Sequence, residues 1–390
     1  MTEEPLKLPI IDLSSPDRLS TAASIRKACR EHGFFYVVNH GVEEELLESV
    51  FGESKKLFAL PLEKKLKLGR REHRGYTPLF AENLDPDSAS KTGDPKESYY
   101  IGPLEDHSAP LKLNQWPPQE ILPSWRPTVE TFYRKVMCAG KRLLRLIALA
   151  LNLEENFFEK AGGLDKPTAY LRLLHYPGEL GSSDEDICAA SAHSDYGMIT
   201  LLATDGVRGL QICREKFKQP RVWEDVLHLD GALIVNIGDL MERWTNCLFR
   251  STLHRVIPVG QERYSAAFFL DPKQDCLVEC LESCCSESSP PRHNLTTEAH
   301  DGGPSKTAYR SPDRSSTAAF IRQACTEHGF FYLVNRGVEK QLFEQVFGES
   351  KKLFALPLVE KMKLAQKENR GYTPLFGEVL DPDSGSEGPN

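Results

Sequence analysis

His193-Ser194-Asp195 sets two metal-binding side chains two residues apart. In an extended strand residues i and i+2 face the same side, so His193 and Asp195 reach one ion while Ser194 faces away. A third donor, His254, stands far downstream in Ser251-Thr252-Leu253-His254-Arg255, so it must arrive through tertiary structure. Two histidines and a carboxylate on one face of a metal suit Fe(II) and leave open positions for O2 and an organic co-substrate. A second His-x-Asp, His228-Leu229-Asp230, precedes Gly231 and the apolar run Ala232-Leu233-Ile234-Val235. It reads as a turn before a strand, and so as a decoy.

Arg263 and Ser265 form another i, i+2 pair, at the head of the aromatic-rich apolar run Tyr264-Ser265-Ala266-Ala267-Phe268-Phe269-Leu270, which suits a buried strand. An arginine inside an apolar barrel costs several kcal/mol unless an anion meets it. A co-substrate carboxylate held bidentately by Arg263, with a hydroxyl bond from Ser265, would satisfy that charge.

On these residues, positions from about 5 to 290 resemble the 2-oxoglutarate- and Fe(II)-dependent dioxygenases of the isopenicillin N synthase-like superfamily, of plant and fungal type. The amino-terminal resemblance lies in Leu8-Pro9-Ile10-Ile11-Asp12-Leu13 and in Glu31-His32-Gly33-Phe34-Phe35-Tyr36-Val37-Val38-Asn39-His40-Gly41. The resemblance implies that His193, Asp195 and His254 bind Fe(2+) and are catalytic, and that Arg263 and Ser265 bind the distal carboxylate of 2-oxoglutarate. Tyr176, in Leu174-His175-Tyr176-Pro177, matches a tyrosine that contacts the co-substrate. Leu174 stands where many plant members have asparagine, and His175 reads as structural. Asn236 is expected in a turn or bonded behind the site.

The implied reaction oxidises a small organic molecule, by hydroxylation or desaturation, while 2-oxoglutarate and O2 yield succinate and CO2; ascorbate is implied as a reductant. Two other readings stay open at this point: an iron-dependent oxidase that does not use 2-oxoglutarate, and a non-catalytic binding protein that retains the fold.

The elements needed to position these residues are visible in the pattern. Leu8 to Leu13 reads as a strand, and Thr21 to His32 and Glu43 to Phe58 as amphipathic helices. Trp125 to Leu151 carries apolar residues at helical spacing and predicts a long supporting helix. From Ala169 to Leu270 short apolar runs alternate with turn residues, notably Met198 to Leu202, Gly209 to Ile212 and Ala232 to Ile237. The expected fold class is α+β, mainly β, with a double-stranded β-helix (jelly roll) core and flanking helices.

A length of 390 residues with 40% hydrophobic content allows one large domain plus an appendage, and the formal charge of -8 argues against a phosphate-backbone partner. No apolar stretch approaches the roughly 20 residues that span a bilayer, and the ten cysteines fit free thiols in the cytoplasm. Cys276, Cys280, Cys284 and Cys285 lack the paired spacing of a zinc site. The expected partner is a small-molecule substrate, with neither nucleic acid nor membrane.

Residues 15–90 recur as residues 311–386, with 56 identities in 76 positions. The second copy stops short of any metal motif and lacks the opening strand. The expected organisation is therefore an amino-terminal flank at 1–120, a helix-supported catalytic jelly roll at 121–290, a linker at 291–310, and an incomplete duplicate without an active site at 311–390. The resemblance also implies a carboxy-terminal helix that helps cover substrate, whereas here the chain after Arg292 passes into the linker and the repeat. A monomer is expected, with exchange of the repeated segment between copies as the route to a swapped dimer.

Overall fold

The computed structural model describes residues 6–82, 93–104, 113–161, 164, 167–178, 188–216, 218, 220–273, 276–286, 289–291, 296–297 and 340–364. The chain divides into two compact units, Met1–Tyr332 and Leu333–Asn390.

The larger unit is built on two sheets. The first holds β1 (Ile10–Asp12), β2 (Phe34–Val38), β3 (Gly75–Thr77), β4 (Glu97–Ile101), β5 (Thr168–Tyr176), β7 (Ile199–Thr204), β10 (Leu233–Ile237) and β12 (Arg263–Asp271), in the order β1-β2-β10-β7-β12-β5-β4-β3. The second holds β6 (Ala190–His193), β8 (Leu210–Cys213), β9 (Glu224–Asp225) and β11 (Leu253–Val256), in the order β6-β11-β8-β9. The β10-β7-β12-β5 quartet and the second sheet make the two faces of a jelly roll.

Strand periodicity divides the large sheet into two chemistries. On β12, Tyr264, Ala266, Phe268 and Leu270 join the main core, while Arg263, Ser265, Ala267 and Phe269 line a cleft between the sheets. On β5, Ala169, Leu171 and Leu173 face the core, whereas Arg172, Leu174 and Tyr176 face the cleft. The same alternation runs through β7, with Ile199, Leu201 and Ala203 against Thr200 and Leu202. A slip of one residue in any of these ladders would exchange the two sets.

Helix α4 (Trp125–Ala150) supports the core face with Val129, Phe132, Val136, Leu143 and Ile147, all fully buried or nearly so. Gly140 permits its close approach: a Cβ there would stand 2.7 Å from Leu270 Cδ2. Helices α1 (Arg18–Glu31) and α2 (Glu44–Phe58) pack on α4 in turn.

Helix α1 begins at Arg18 rather than Thr21 because Asp17 caps it, accepting from the Ser20 amide at 3.0 Å. Four amino-terminal strands extend both edges of the large sheet, where the pattern suggested only one. β2 is apolar throughout and gives no alternating signal, and β3 and β4 are short.

In the smaller unit the described residues form two helices, Lys340–Ala355 and Leu358–Met362, at the repeat-equivalent positions of α2 and of α3 (Leu62–Leu66). Most of the expected linker, and residues 311–339 and 365–390 of the second copy, lie outside the described residues. Within the linker span, Thr296–Thr297 pairs with Leu277–Val278 as a short ladder. Among the described residues no helix is long and apolar enough to cross a membrane.

Candidate metal centre

His193 ends β6 and His254 lies within β11, and the two are direct partners in the antiparallel ladder. Asp195 follows two residues after His193, which brings all three donors together. Asp195 Oδ1 lies 3.8 Å from His193 Nε2 and 3.7 Å from His254 Nε2. One ligand atom from each residue falls within 4.8 Å of the others, and among the described residues no other His, Cys, Asp or Glu group converges in this way.

The second polar atom of each donor is already occupied. His193 Nδ1 bonds the Ser191 carbonyl at 2.7 Å and His254 Nδ1 the Thr252 carbonyl at 3.1 Å. A carbonyl only accepts, so each Nδ1 carries the proton and each Nε2 offers a lone pair. Asp195 Oδ2 accepts from Thr200 Oγ1 at 2.6 Å and from Asn236 Nδ2 at 2.7 Å. Three lone pairs thus face one small space, an arrangement that a divalent cation stabilises and that Fe(II) fits.

Electrostatics supports the same protonation states. Burial and the neighbouring His254 push His193 down to about 4, so it is neutral at neutral pH. Burial opposes ionisation of Asp195, but His254, His193 and the two hydrogen bonds outweigh it and hold the carboxyl below its ordinary value.

Across the cleft Arg263 and Ser265 are each 3% exposed. Arg263 Nη1 donates to Ser265 Oγ at 3.3 Å and its Nε to the Val207 carbonyl at 3.3 Å, while its guanidinium lies 5.0 Å from the centre of the Tyr176 ring. Tyr176 is its partner in the β12–β5 ladder. Among the described residues no carboxylate meets this buried cation, so an anionic ligand from outside is what would neutralise it. Both groups line one cleft between the sheets, which opens to solvent.

The remaining residues singled out by sequence lie elsewhere or play other parts. His175 bonds Glu97 at 2.7 Å and Glu262 at 2.9 Å and stacks on Tyr264, away from the metal donors. His228 and Asp230 pair at 3.1 Å near the surface, with the aspartate side chain 95% exposed. Asn236 sits within β10 and clamps Asp195 instead of forming a turn. Cys276 Sγ bonds the Ala161 carbonyl, and Cys280 Sγ approaches that of Arg243. The Thr200 clamp was missed; its signal is one hydroxyl at a cleft-facing position of an otherwise apolar run.

The amino-terminal motif acts on this centre through Gly33. Its φ of +67° admits the turn after α1, and a Cβ there would stand 2.3 Å from the Arg250 carbonyl. Thr252 Oγ1 donates to the His32 carbonyl at 2.7 Å, and the Arg250 amide to that of Cys29 at 3.0 Å. The segment leading into His254 is thereby fastened to the end of α1.

Comparison with known proteins agrees with this geometry. The profile of the 2OG-Fe(II) oxygenase superfamily matches residues 167–272, and the profile "non-haem dioxygenase in morphine synthesis N-terminal" matches residues 8–119 and 304–387. The chain is 42% identical over 294 residues to kihadalactone A synthase LFS of Citrus sinensis, covering 73% of this chain and 87% of that protein. It is 34% identical to the 2-oxoglutarate-Fe(II) type oxidoreductase hxnY of Emericella nidulans, covering 78% and 91%. Among solved structures, a full-length Neurospora crassa protein in complex with alpha-KG superposes with a TM-score of 0.66 at 30% identity, over 76% of this chain and 95% of that one. JOX2 in complex with 2OG, Fe and JA gives 0.63, also at 30%, over 75% and 83%. Sequence likeness along most of the chain and a jelly roll gathering two histidines and an aspartate beside a buried arginine lead to one assignment: this chain belongs to the 2OG-Fe(II) oxygenase superfamily and is an Fe(II)- and 2-oxoglutarate-dependent dioxygenase.

Proposed function

We propose that His193, Asp195 and His254 are the iron ligands, that Arg263, Ser265 and Tyr176 seat 2-oxoglutarate, and that the enzyme hydroxylates or desaturates a small organic metabolite. The observation that carries this reading is the convergence of three lone pairs whose companion atoms are all tied to the protein. When bound, the iron and the keto acid supply O2 activation, with 2-oxoglutarate converted to succinate and CO2 as the substrate is oxidised.

The protein's own residues bind, orient and exclude water. Arg263 offers a planar fork for a carboxylate at the buried end of the cleft, and Ser265 adds a hydroxyl. Thr200 and Asn236 keep Asp195 Oδ1 turned toward the histidines. Phe34, Leu202, Leu210 and Phe269 line the same cleft with apolar surface, which strengthens every charge interaction inside it.

We assign residues 1–120 to the flank, 121–290 to the catalytic jelly roll and 311–390 to a duplicate that supplies no ligand. We read the chain as a cytoplasmic monomer. The nine free thiols among the described residues fit a reducing compartment, and exchange of the repeated segment is the available route to a dimer.

The test is metal stoichiometry with succinate formation. Asp195→Ala is expected to abolish both, and His228→Ala neither. Full iron content in Asp195→Ala would remove the assignment.

A further inference from the structure

The cleft has a second polar wall that the proposed iron and 2-oxoglutarate sites leave unused. Arg172 on β5 and Lys96, just before β4, both line it, yet they are 7% and 3% exposed. Arg172 Nη2 donates to Glu82 and to Ser98 Oγ at 3.1 Å, and the guanidinium lies 4.7 Å from the centre of the Tyr100 ring. Its Nε is buried with no hydrogen-bond partner among the described residues. Lys96 Nζ has three protons to donate and one described acceptor, Asp94 Oδ2.

The charges of this wall do not cancel. Glu82 is shared between Arg172 and Arg70, the latter at 2.8 Å. Asp94 also accepts from Ser191, through the hydroxyl at 2.6 Å and the amide at 3.3 Å, and so links the wall to the strand that carries His193. Three cations, Arg70, Lys96 and Arg172, share two paired carboxylates, Glu82 and Asp94. Burial and the Arg172 charge pull the Lys96 ammonium below its ordinary value despite Asp94, as expected where positive charge is in excess. A buried cation with unused donors is costly unless an anion completes it.

We propose that Arg172 and Lys96 form the recognition site for the oxidised substrate, and that the group they hold is a carboxylate on a small organic acid. This rests on the functional reading above. It extends that reading by assigning a substrate class and two specificity-determining residues. A carboxylate supplies the missing negative charge and enough lone pairs for Arg172 Nε and the remaining Lys96 protons. The co-substrate does not need this wall, because Arg263 and Ser265 already form a separate buried seat.

The test uses a panel of small aromatic and alicyclic carboxylic acids, each paired with its methyl ester. Binding is read anaerobically on protein loaded with Fe(II) and 2-oxoglutarate, as a perturbation of the metal-to-ligand absorption band, and turnover as succinate. At least one acid is expected to bind more tightly than its ester and to stimulate succinate formation. In Arg172→Gln its affinity should fall about 30-fold or more and the preference for acid over ester should disappear, with the affinity for 2-oxoglutarate unchanged. Arg172→Lys should restore part of the preference, and Lys96→Met should weaken the acid in the same direction. Glu82 keeps Arg70 and Asp94 keeps Ser191 in these variants; should Arg172→Gln not fold, Lys96→Met decides by the same criteria.

Parity of acid and ester across the panel in the wild-type protein overturns the proposal. So does a preference that survives in a folded variant, or a loss of 2-oxoglutarate affinity in step with the acid. If no absorption band forms with Fe(II) and 2-oxoglutarate, the functional reading itself fails, and the proposal with it.

Discussion

His254 stands directly opposite His193 across the β11–β6 ladder, with their ring centroids 4.3 Å apart. Two of the three proposed metal donors are therefore fixed by strand register and not by a loop. The third, Asp195, lies two residues past the end of β6 and is held by two hydrogen bonds to its outer oxygen. Such a centre is preorganised, and its sensitivity should lie in the groups that hold Asp195.

Thr200→Val is expected to weaken Fe(II) binding about 10- to 100-fold while leaving the fold intact, since it removes one of the two donors to Asp195 Oδ2 and keeps the side-chain shape. Competition against a metal-binding dye measures this. Wild-type affinity in the variant would show that the clamp plays no part in metal binding.

Stability should fall on acidification below about pH 6.5, with His40 contributing. Its Nδ1 accepts from the Val42 amide at 3.1 Å and its Nε2 donates to the Gly231 carbonyl at 3.0 Å, so the pocket holds the neutral ring. Burial, the largest cause, puts its folded pKa below the ordinary value. The unfolded chain then binds the proton more readily, so this contribution is intact above the unfolded pKa and is lost as pH falls toward the folded one. Thermal unfolding of wild type and His40→Gln from pH 7.5 to 5 checks it. The variant should show the smaller decline, and equal declines would contradict the assignment.

Deleting residues 311–390 is expected to leave the fold, iron binding and uncoupled 2-oxoglutarate consumption nearly unchanged. The chain divides at Tyr332, and neither helix described beyond it carries a metal donor set. Val50 and Leu57 are fully buried in the first copy, whereas the equivalent Val346 and Leu353 are 54% and 36% exposed. Truncation should accordingly reduce self-association, because exposed apolar faces promote it. Sedimentation and succinate assays of both forms measure these effects. Unfolding or iron loss on truncation would make the tail integral to the catalytic unit.

His193 and Asp195 were legible as a pair from their i, i+2 spacing, although β6 ends at His193, and Arg263 and Ser265 from the same spacing within β12; His254 was placed with them by the family resemblance and not by local spacing. The long helix was legible from its apolar spacing, with Trp125 as its first residue in both readings. β2 was not, since Phe34 to Val38 is buried on both faces and lacks alternation. Thr200, Lys96 and Arg172 were not either: Arg172 meets Glu82 from 90 residues away, and although Asp195 and Asp94 are near Thr200 and Lys96 in sequence, only the folded cleft shows that these side chains face it.

The most direct measurement is an anaerobic titration of 2-oxoglutarate into the Fe(II)-loaded protein, followed by its metal-to-ligand charge-transfer absorption, in wild type and in Arg263→Leu. A saturable band is expected in the wild-type protein. In the variant the same band should require roughly two to four orders of magnitude more 2-oxoglutarate, the loss that follows from deleting one partner of a buried charge pair worth about 3 to 5 kcal/mol, while iron affinity is retained. No band in the wild-type protein, or an unchanged dissociation constant in Arg263→Leu, would contradict the account.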